Sequence, residues 1–264
     1  MLSVETTDGV QTWTMGFAPV NAIDPTFLDA MEKALDDTIG DPRVSVVVVT
    51  SGLRVFSAGA DAAWMGRVVR ERGASVLLEE FNQTMDRFRE LCIRMRKSDV
   101  LFIAALNGHT LAGGLELAAA CDLRWVADVE RLQIGAPEMK LFGVLPSGGG
   151  GGQFIARLMG PARALQFVLE AENVSPARAL ELGLVERVCP ADTLLDDARQ
   201  FGVRVAAKAG RVGIGSAKRS LLEATSLGVY EALEVDRRVH WDAMRRGGFL
   251  PGVEAFVTEF GGRG

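Results

Sequence analysis

Hydrophobic and polar positions alternate between two periods along this chain. Residues 9–15 (GVQTWTM) alternate as a half-buried strand does. Residues 44–50 (VSVVVVT) and 100–106 (VLFIAAL) are short, nearly unbroken apolar runs, which read as buried strands. Between them the period lengthens. Asp24-Pro25 opens a helix, with Asp24 as N-cap and Pro25 at the first position. Phe27, Leu28, Met31, Ala34 and Leu35 mark its apolar face, and Asp41-Pro42 ends the unit. Residues 65–74 read as a flexible segment. A long amphipathic helix over 75–97 follows, with Leu77, Leu78, Phe81, Met85, Phe88, Leu91, Cys92 and Met95 at helical spacing, read as core. Strand, helix, strand predicts an α/β fold.

Residues 107–122, NGHTLAGGLELAAACD, stand out. The pattern passes there from strand through a glycine turn to a helix. A helix start offers unpaired N–H groups and a partial positive charge, and glycine lets a ligand approach the backbone closely. Glu116 lies three residues after Gly113, on the same helix face, and is the only charged residue between His109 and Asp122. The plain alternative is a buried helix with one structurally paired acid. On this stretch alone the two readings are even.

A second stretch, FSAGAD at 56–61, follows the strand at 44–50. Its small residues can present backbone groups to a ligand. It reads equally as a loop ending at Asp61, the N-cap of a helix from Ala62. Strands over 123–127 and 132–135 lead to Pro137-Glu138 and then to the five glycines 148–152, before a helix over 153–158. A glycine run before a helix suggests a phosphate cradle, but no GxxxxGK[ST] is present and no clear strand precedes it. Beyond Gly160 helices are predicted over 161–170, 175–183, 192–208, 215–222, 229–245 and from Pro251, with a short strand at 184–188. The chain divides into a core, 1–195, and a helical region, 196–264.

The 264 residues suffice for a large core, and 48% apolar and 24% charged residues are ordinary for a globular protein. A net charge of −5 gives no support to nucleic-acid binding. Three cysteines without metal-ligand spacing suit a reducing compartment. No basic-then-apolar leader and no membrane-length apolar run is seen, so the expectation is a cytoplasmic protein without a membrane partner.

Taken together, the stretches resemble the crotonase superfamily, also called the enoyl-CoA hydratase/isomerase family. FSAGAD at 56–61 resembles its first oxyanion motif, and 107–122 its second. GAPE at 135–138 with GVLP at 143–146 resembles its third, and ARALELGLVE at 177–186 is a further family-like segment. The likeness spans nearly the whole chain, and the order and spacing of the motifs are more specific than any one of them.

This resemblance implies a spiral of ββα units with a C-terminal helical region that assembles subunits and closes the site. It implies a homotrimer or a dimer of trimers. It implies an acyl-CoA thioester as substrate, with no separate cofactor or metal. The N–H groups of Ala58 and Gly113 would form the oxyanion hole, and Glu116 and Glu138 the catalytic pair. Ala58, Ala60 and Asp61 would lie beside the CoA adenine, Arg54 would meet a CoA phosphate, and Trp64 and Met65 would line the substrate pocket.

The departures are the segment AAWM at 62–65, a slightly long stretch over 127–135 and one extra glycine in the run. The expected activity is hydration of a 2-enoyl-CoA. An enoyl-CoA isomerase using Glu138 as proton shuttle stands beside it, as do related acyl-CoA hydrolases and decarboxylases. A non-catalytic or RNA-binding member and a dinucleotide enzyme using the glycine run are the readings from other classes. The acidic balance opposes RNA, and no ribose-binding acid follows a strand–glycine–helix unit.

Overall fold

The computed structural model describes residues 1–247 and 249–260. The chain opens with a hairpin, β1 (Leu2–Thr7) and β2 (Val10–Met15). Asp8 and Gly9 between them both take positive φ, as a two-residue hairpin turn requires. β2 is buried at all but one position rather than at alternate ones. It lies between β1 and β3 in the sheet, with helices over both faces, so neither face keeps polar residues in water.

Helix α1 (Pro25–Gly40) starts as the sequence predicts. Asp24 Oδ1 accepts from the Phe27 N–H at 2.8 Å, and Phe27, Leu28, Met31, Ala34 and Leu35 are all buried. Three similar turns follow. β3 (Val46–Ser51) and β4 (Val55–Ser57) lead to α2 (Ala62–Arg72) and α3 (Ala74–Lys97). β5 (Leu101–Leu106) and β6 (His109–Leu111) lead to α4 (Gly113–Ala120). β7 (Leu123–Ala127) and β8 (Ile134–Gly135) lead to α5 (Glu138–Phe142). In each turn the first strand joins a large sheet and the second a small one, ordered β4-β6-β8. The result is a spiral of strand, strand and helix.

Helices α6 (Gly151–Met159), α7 (Pro161–Glu170) and α8 (Pro176–Leu182) precede β9 (Arg187–Cys189), which completes the large sheet, β1-β2-β3-β5-β7-β9. Helix α9 (Leu194–Lys218) bends at Gly210, where φ is 56° and ψ −179°. Its first half covers one face of the sheet. Gly202 lies against Val10 and Val46, and the Phe201 ring meets Trp125 at 5.3 Å. A π-helical turn over Arg219–Glu223, a 3-10 turn over Ala224–Ser226, α10 (Val229–Arg246) and α11 (Phe249–Phe260) finish the described chain.

Three expectations change. Residues 65–72 are helical, not flexible: α2 runs to Arg72 and stops at Gly73, whose φ is 92°. Arg70 and Arg72 in its last turn suit the negative helix end. Only the second half of α3 enters the core. Phe88, Leu91, Cys92 and Met95 are buried, whereas Leu78 is exposed and Leu77, Phe81 and Met85 are half-buried. The glycine turn before α4 contains β6, a strand too short to leave a periodic signature. No helix among the described residues is long and apolar enough to cross a membrane.

Candidate active site

The loop after β4 and the start of α4 meet through glycines. A Cβ on Gly59 would lie 2.8 Å from the Gly113 nitrogen and 2.7 Å from Ala112 Cβ. A Cβ on Gly114 would lie 2.4 Å from the Ser57 carbonyl oxygen. Only bare backbone allows this approach. Ala112, just before α4, holds φ at 51° without being glycine, a strained conformation located where the helix opens.

The N–H groups of Ala60, Gly113 and Gly114 at this junction have no acceptor among the described residues, and the expected donor Ala58 is not among them. The Ala58 N–H, expected in the oxyanion hole, donates to the Val20 carbonyl at 3.1 Å and is not available. Its neighbours pair with Ile23: Ile23 N–H donates to Gly59 O at 2.8 Å, and Asp61 N–H to Ile23 O at 3.0 Å. This ladder leaves the intervening Ala60 N–H unused. The Gly113 N–H, at the first position of α4, is also unused, as expected. In this loop it is therefore the Ala60 N–H, and not that of Ala58, which is left open.

Glu116 lies in the first turn of α4 and is only 4% exposed. Its Oε2 accepts from the Gly149 N–H at 2.8 Å and the Gly151 N–H at 2.7 Å. Burial raises its pKa above the usual carboxylate range, and these amides pull against that shift. Glu138 opens α5 directly after Pro137 and is 9% exposed. Neither of its oxygens has a hydrogen-bond partner. Burial pushes its pKa up to about 7, and the charge of Glu116 adds to the rise, so the two acids sense each other.

These features occur in a chain with clear relatives. The enoyl-CoA hydratase/isomerase family model matches residues 5–260. The chain belongs to that family. It is 30% identical over 240 residues to the mitochondrial enoyl-CoA hydratase of Pongo abelii, covering 91% of this chain and 78% of that protein. It is 32% identical over 243 residues to the probable enoyl-CoA hydratase echA8 of Mycobacterium tuberculosis, covering 91% and 88%. An enoyl-CoA hydratase structure from Geobacillus kaustophilus superposes with a TM-score of 0.87 at 31% identity, covering 98% of this chain and 94% of that one. The spiral described above is thus the crotonase fold, and the chain is an enzyme of the crotonase family.

The other residues expected from the family resemblance occupy one loop and its flanks. Asp61 is the N-cap of α2, its Oδ1 accepting from the Trp64 N–H at 2.8 Å. Ala60, Asp61 and Met65 are half-buried and Trp64 is buried. Arg54 is exposed at the turn between β3 and β4. Ile23, Met85 and Phe88 pack around the junction: Ile23 and Phe88 against Gly113, Met85 against Gly148 and Phe88 against Gly149. Two surface hollows, of about 590 and 550 Å³, lie between α7 and α8 and beside α10, and touch none of these residues.

Two parts of the site escaped sequence reading. Asn21 is fully buried with φ at 50°. Its Oδ1 accepts from the Phe17 N–H at 2.7 Å, and its Nδ2 donates to Ser51 Oγ at 2.7 Å and Phe56 O at 2.9 Å. Ser57 Oγ donates back to Asn21 O at 2.8 Å. One side chain thus fixes the strand that carries the Ala60 loop. A lone asparagine in the apolar segment 17–23 gave no sign of this beyond its tolerance of positive φ. The second part is the glycine run. Its amides are turned on the chain's own Glu116 carboxyl, where the sequence had suggested a phosphate.

Proposed function

We propose that this enzyme is an enoyl-CoA hydratase, adding water across the 2,3 double bond of a 2-enoyl-CoA. The observation that carries the reading is the pair of buried carboxyls with unequal surroundings, beside the unused N–H groups of Ala60 and Gly113. Glu116 has two amide donors, which favour its ionised form; Glu138 has none from another residue, and burial pushes its pKa up to about 7 against the pull of its own N–H.

The thioester oxygen takes the Ala60 and Gly113 N–H groups. As water adds at C3, charge accumulates on that oxygen, and the positive end of α4 stabilises it. Loss of one such donor costs about 3 kcal/mol of barrier stabilisation in related chemistry. Glu116 removes a proton from water as its oxygen bonds to C3. Glu138 delivers its proton to C2, closing the enolate to the 3-hydroxyacyl thioester. Solvent exchange then returns both acids to their starting states. The addition changes no overall oxidation level, so coenzyme A enters only as part of the substrate. Arg54 supplies an exposed cation for a CoA phosphate. Ala60 and Asp61 lie beside the adenine, and Trp64 and Met65 line the pocket.

A second reading is enoyl-CoA isomerase, favoured by the engagement of Glu116 Oε2 while Glu138 remains unpartnered. Wild type incubated with 2-enoyl-CoA thioesters in ¹⁸O-labelled water decides between them. Hydration predicts label at C3, loss of the conjugated absorbance, and loss of both in Glu116→Ala and Glu138→Ala. No label, with Glu116→Ala still converting a 3-enoyl thioester, would select the isomerase.

The region 196–264 is proposed to assemble a homotrimer or a dimer of trimers and to close the site. Helix α10 buries none of its residues within one chain and leaves Tyr230, Leu233 and Trp241 exposed. Sedimentation equilibrium of wild type against a Tyr230→Glu, Leu233→Glu variant tests the assembly.

A further inference from the structure

Three glycines of the run after Pro146 have no room for a side chain. A Cβ on Gly151 would lie 2.4 Å from Glu116 Cγ and 2.9 Å from its Oε2. A Cβ on Gly148 would lie 2.5 Å from Met85 Sδ, and one on Gly149 2.7 Å from the Phe88 ring. Gly150 between them takes φ at 89°, which turns the chain so that the Gly149 and Gly151 amides converge on one atom. Gly151 is also the first residue of α6, so the positive end of that helix faces the carboxylate. Both amide bonds fall on Oε2, so Oε1 takes neither of them. Gly152 differs, because a Cβ there meets only the Pro146 carbonyl at 3.4 Å.

We propose that Gly149 and Gly151 are positioning residues, which grip one oxygen of Glu116 through their N–H groups and so aim the other at the reacting water. The proposal rests on the hydratase reading for its chemistry. It adds that the orientation of the base comes from a loop distant in sequence and not from α4, the helix that bears it. A long acid on a helix has several rotamers. The two amides and the absent Cβ atoms select one of them before substrate arrives.

The test compares Gly151→Ala with Gly152→Ala. The new methyl in Gly151→Ala displaces the Glu116 carboxylate from its amides. The expected result is a folded protein with KM nearly unchanged and kcat lower by about 100-fold, the scale of a misplaced catalytic group. The acid limb of kcat should also move to higher pH, because a carboxylate that loses donors to its charged form is protonated more easily. Gly152→Ala should keep both rate and profile. Wild-type kcat and acid limb in Gly151→Ala, or an equal loss in Gly152→Ala, would overturn the proposal. A second measurement needs neither turnover nor a folded Gly151 variant. The infrared difference spectrum of wild type minus Glu116→Gln should show an ionised carboxylate at neutral pH, with the sharp band of a single environment. A protonated carbonyl band, or a broad carboxylate band, refutes the grip. If wild type hydrates no enoyl-CoA, the hydratase reading falls while this spectrum still decides the cradle.

Discussion

Glu138 carries its proton because of where it sits, and that has a consequence for stability. Its folded pKa is about 7, against 4.5 as its ordinary value. The folded state therefore binds the extra proton between these limits. The stability it contributes is fully present below the unfolded pKa and is lost as pH rises through the folded one. Two to three units correspond to about 3 kcal/mol. Glu138→Gln keeps the shape without the charge. Urea unfolding at pH 5 and pH 8 should show wild type losing stability relative to Glu138→Gln by roughly that amount, while hydration is abolished at both. An equal pH response in the two proteins would refute the assignment. Glu116 was half legible in the sequence, as a lone acid among leucines and alanines, whereas Glu138 came only with the family resemblance, since a carboxylate after a strand means little alone. Ala60 was not legible as a donor. Whether the amide of 58 or 60 is spent depends on Val20 and Ile23, which pair with this loop from far along the chain.

At the scale of elements, the site depends on holding β4 against α4. Gly59→Ala would strain a residue at φ 89° and press its methyl on the Gly113 nitrogen. Thioester turnover should fall by about 100-fold or more, as when an oxyanion donor is removed. Steady-state kinetics of the folded variant checks it, and an unaltered kcat would place the donors elsewhere. Asn21→Ala acts on the same loop from behind. It removes an acceptor from Phe17 and a donor from Ser51 and Phe56, and puts alanine at φ 50°. The expected loss is about 3 kcal/mol in urea unfolding; a change within a few tenths would show that water replaces these bonds. The sequence made α1, β3, β5 and β7 plain through an N-cap, β-branched runs and buried apolar segments. It hid β6 and α2. β6 has three residues, and α2 buries only Trp64 and Val68, so neither holds enough of a period to be read. The glycine run was visible, but its ligand was not. Nothing local links residues 148–152 to an acid on α4.

For the molecule as a whole, the far end of α4 matters as much as its start. Arg124, 2% exposed, donates to Cys121 O at 2.6 Å, so a cation meets the negative end of the helix whose positive end opens at Gly113. Asp122, the next residue after Cys121, links this joint to the C-terminal helices. Its Oδ2 accepts from the Phe102 N–H at 2.8 Å and meets Lys218 Nζ at 2.9 Å, while its Oδ1 has no partner. Lys218, at the end of α9, also donates to Met95 O at 3.0 Å and Val100 O at 2.6 Å, and Arg219 beside it pairs with Asp99. Burial lowers the pKa of Lys218 and raises that of Asp122, and each opposes the shift of the other. Removing one partner leaves the other charged and buried, which costs about 3–5 kcal/mol. Lys218→Met should lose that much in urea unfolding. Asp122→Asn should lose a similar amount, because the ammonium then keeps only the Met95 and Val100 carbonyls and the Phe102 ring, with no anion in contact. The double variant removes both charges of the pair, so its loss should fall well short of the sum of the two single losses. If the single losses add, α9 is held to the core by packing alone and the ion pair contributes nothing to the joint.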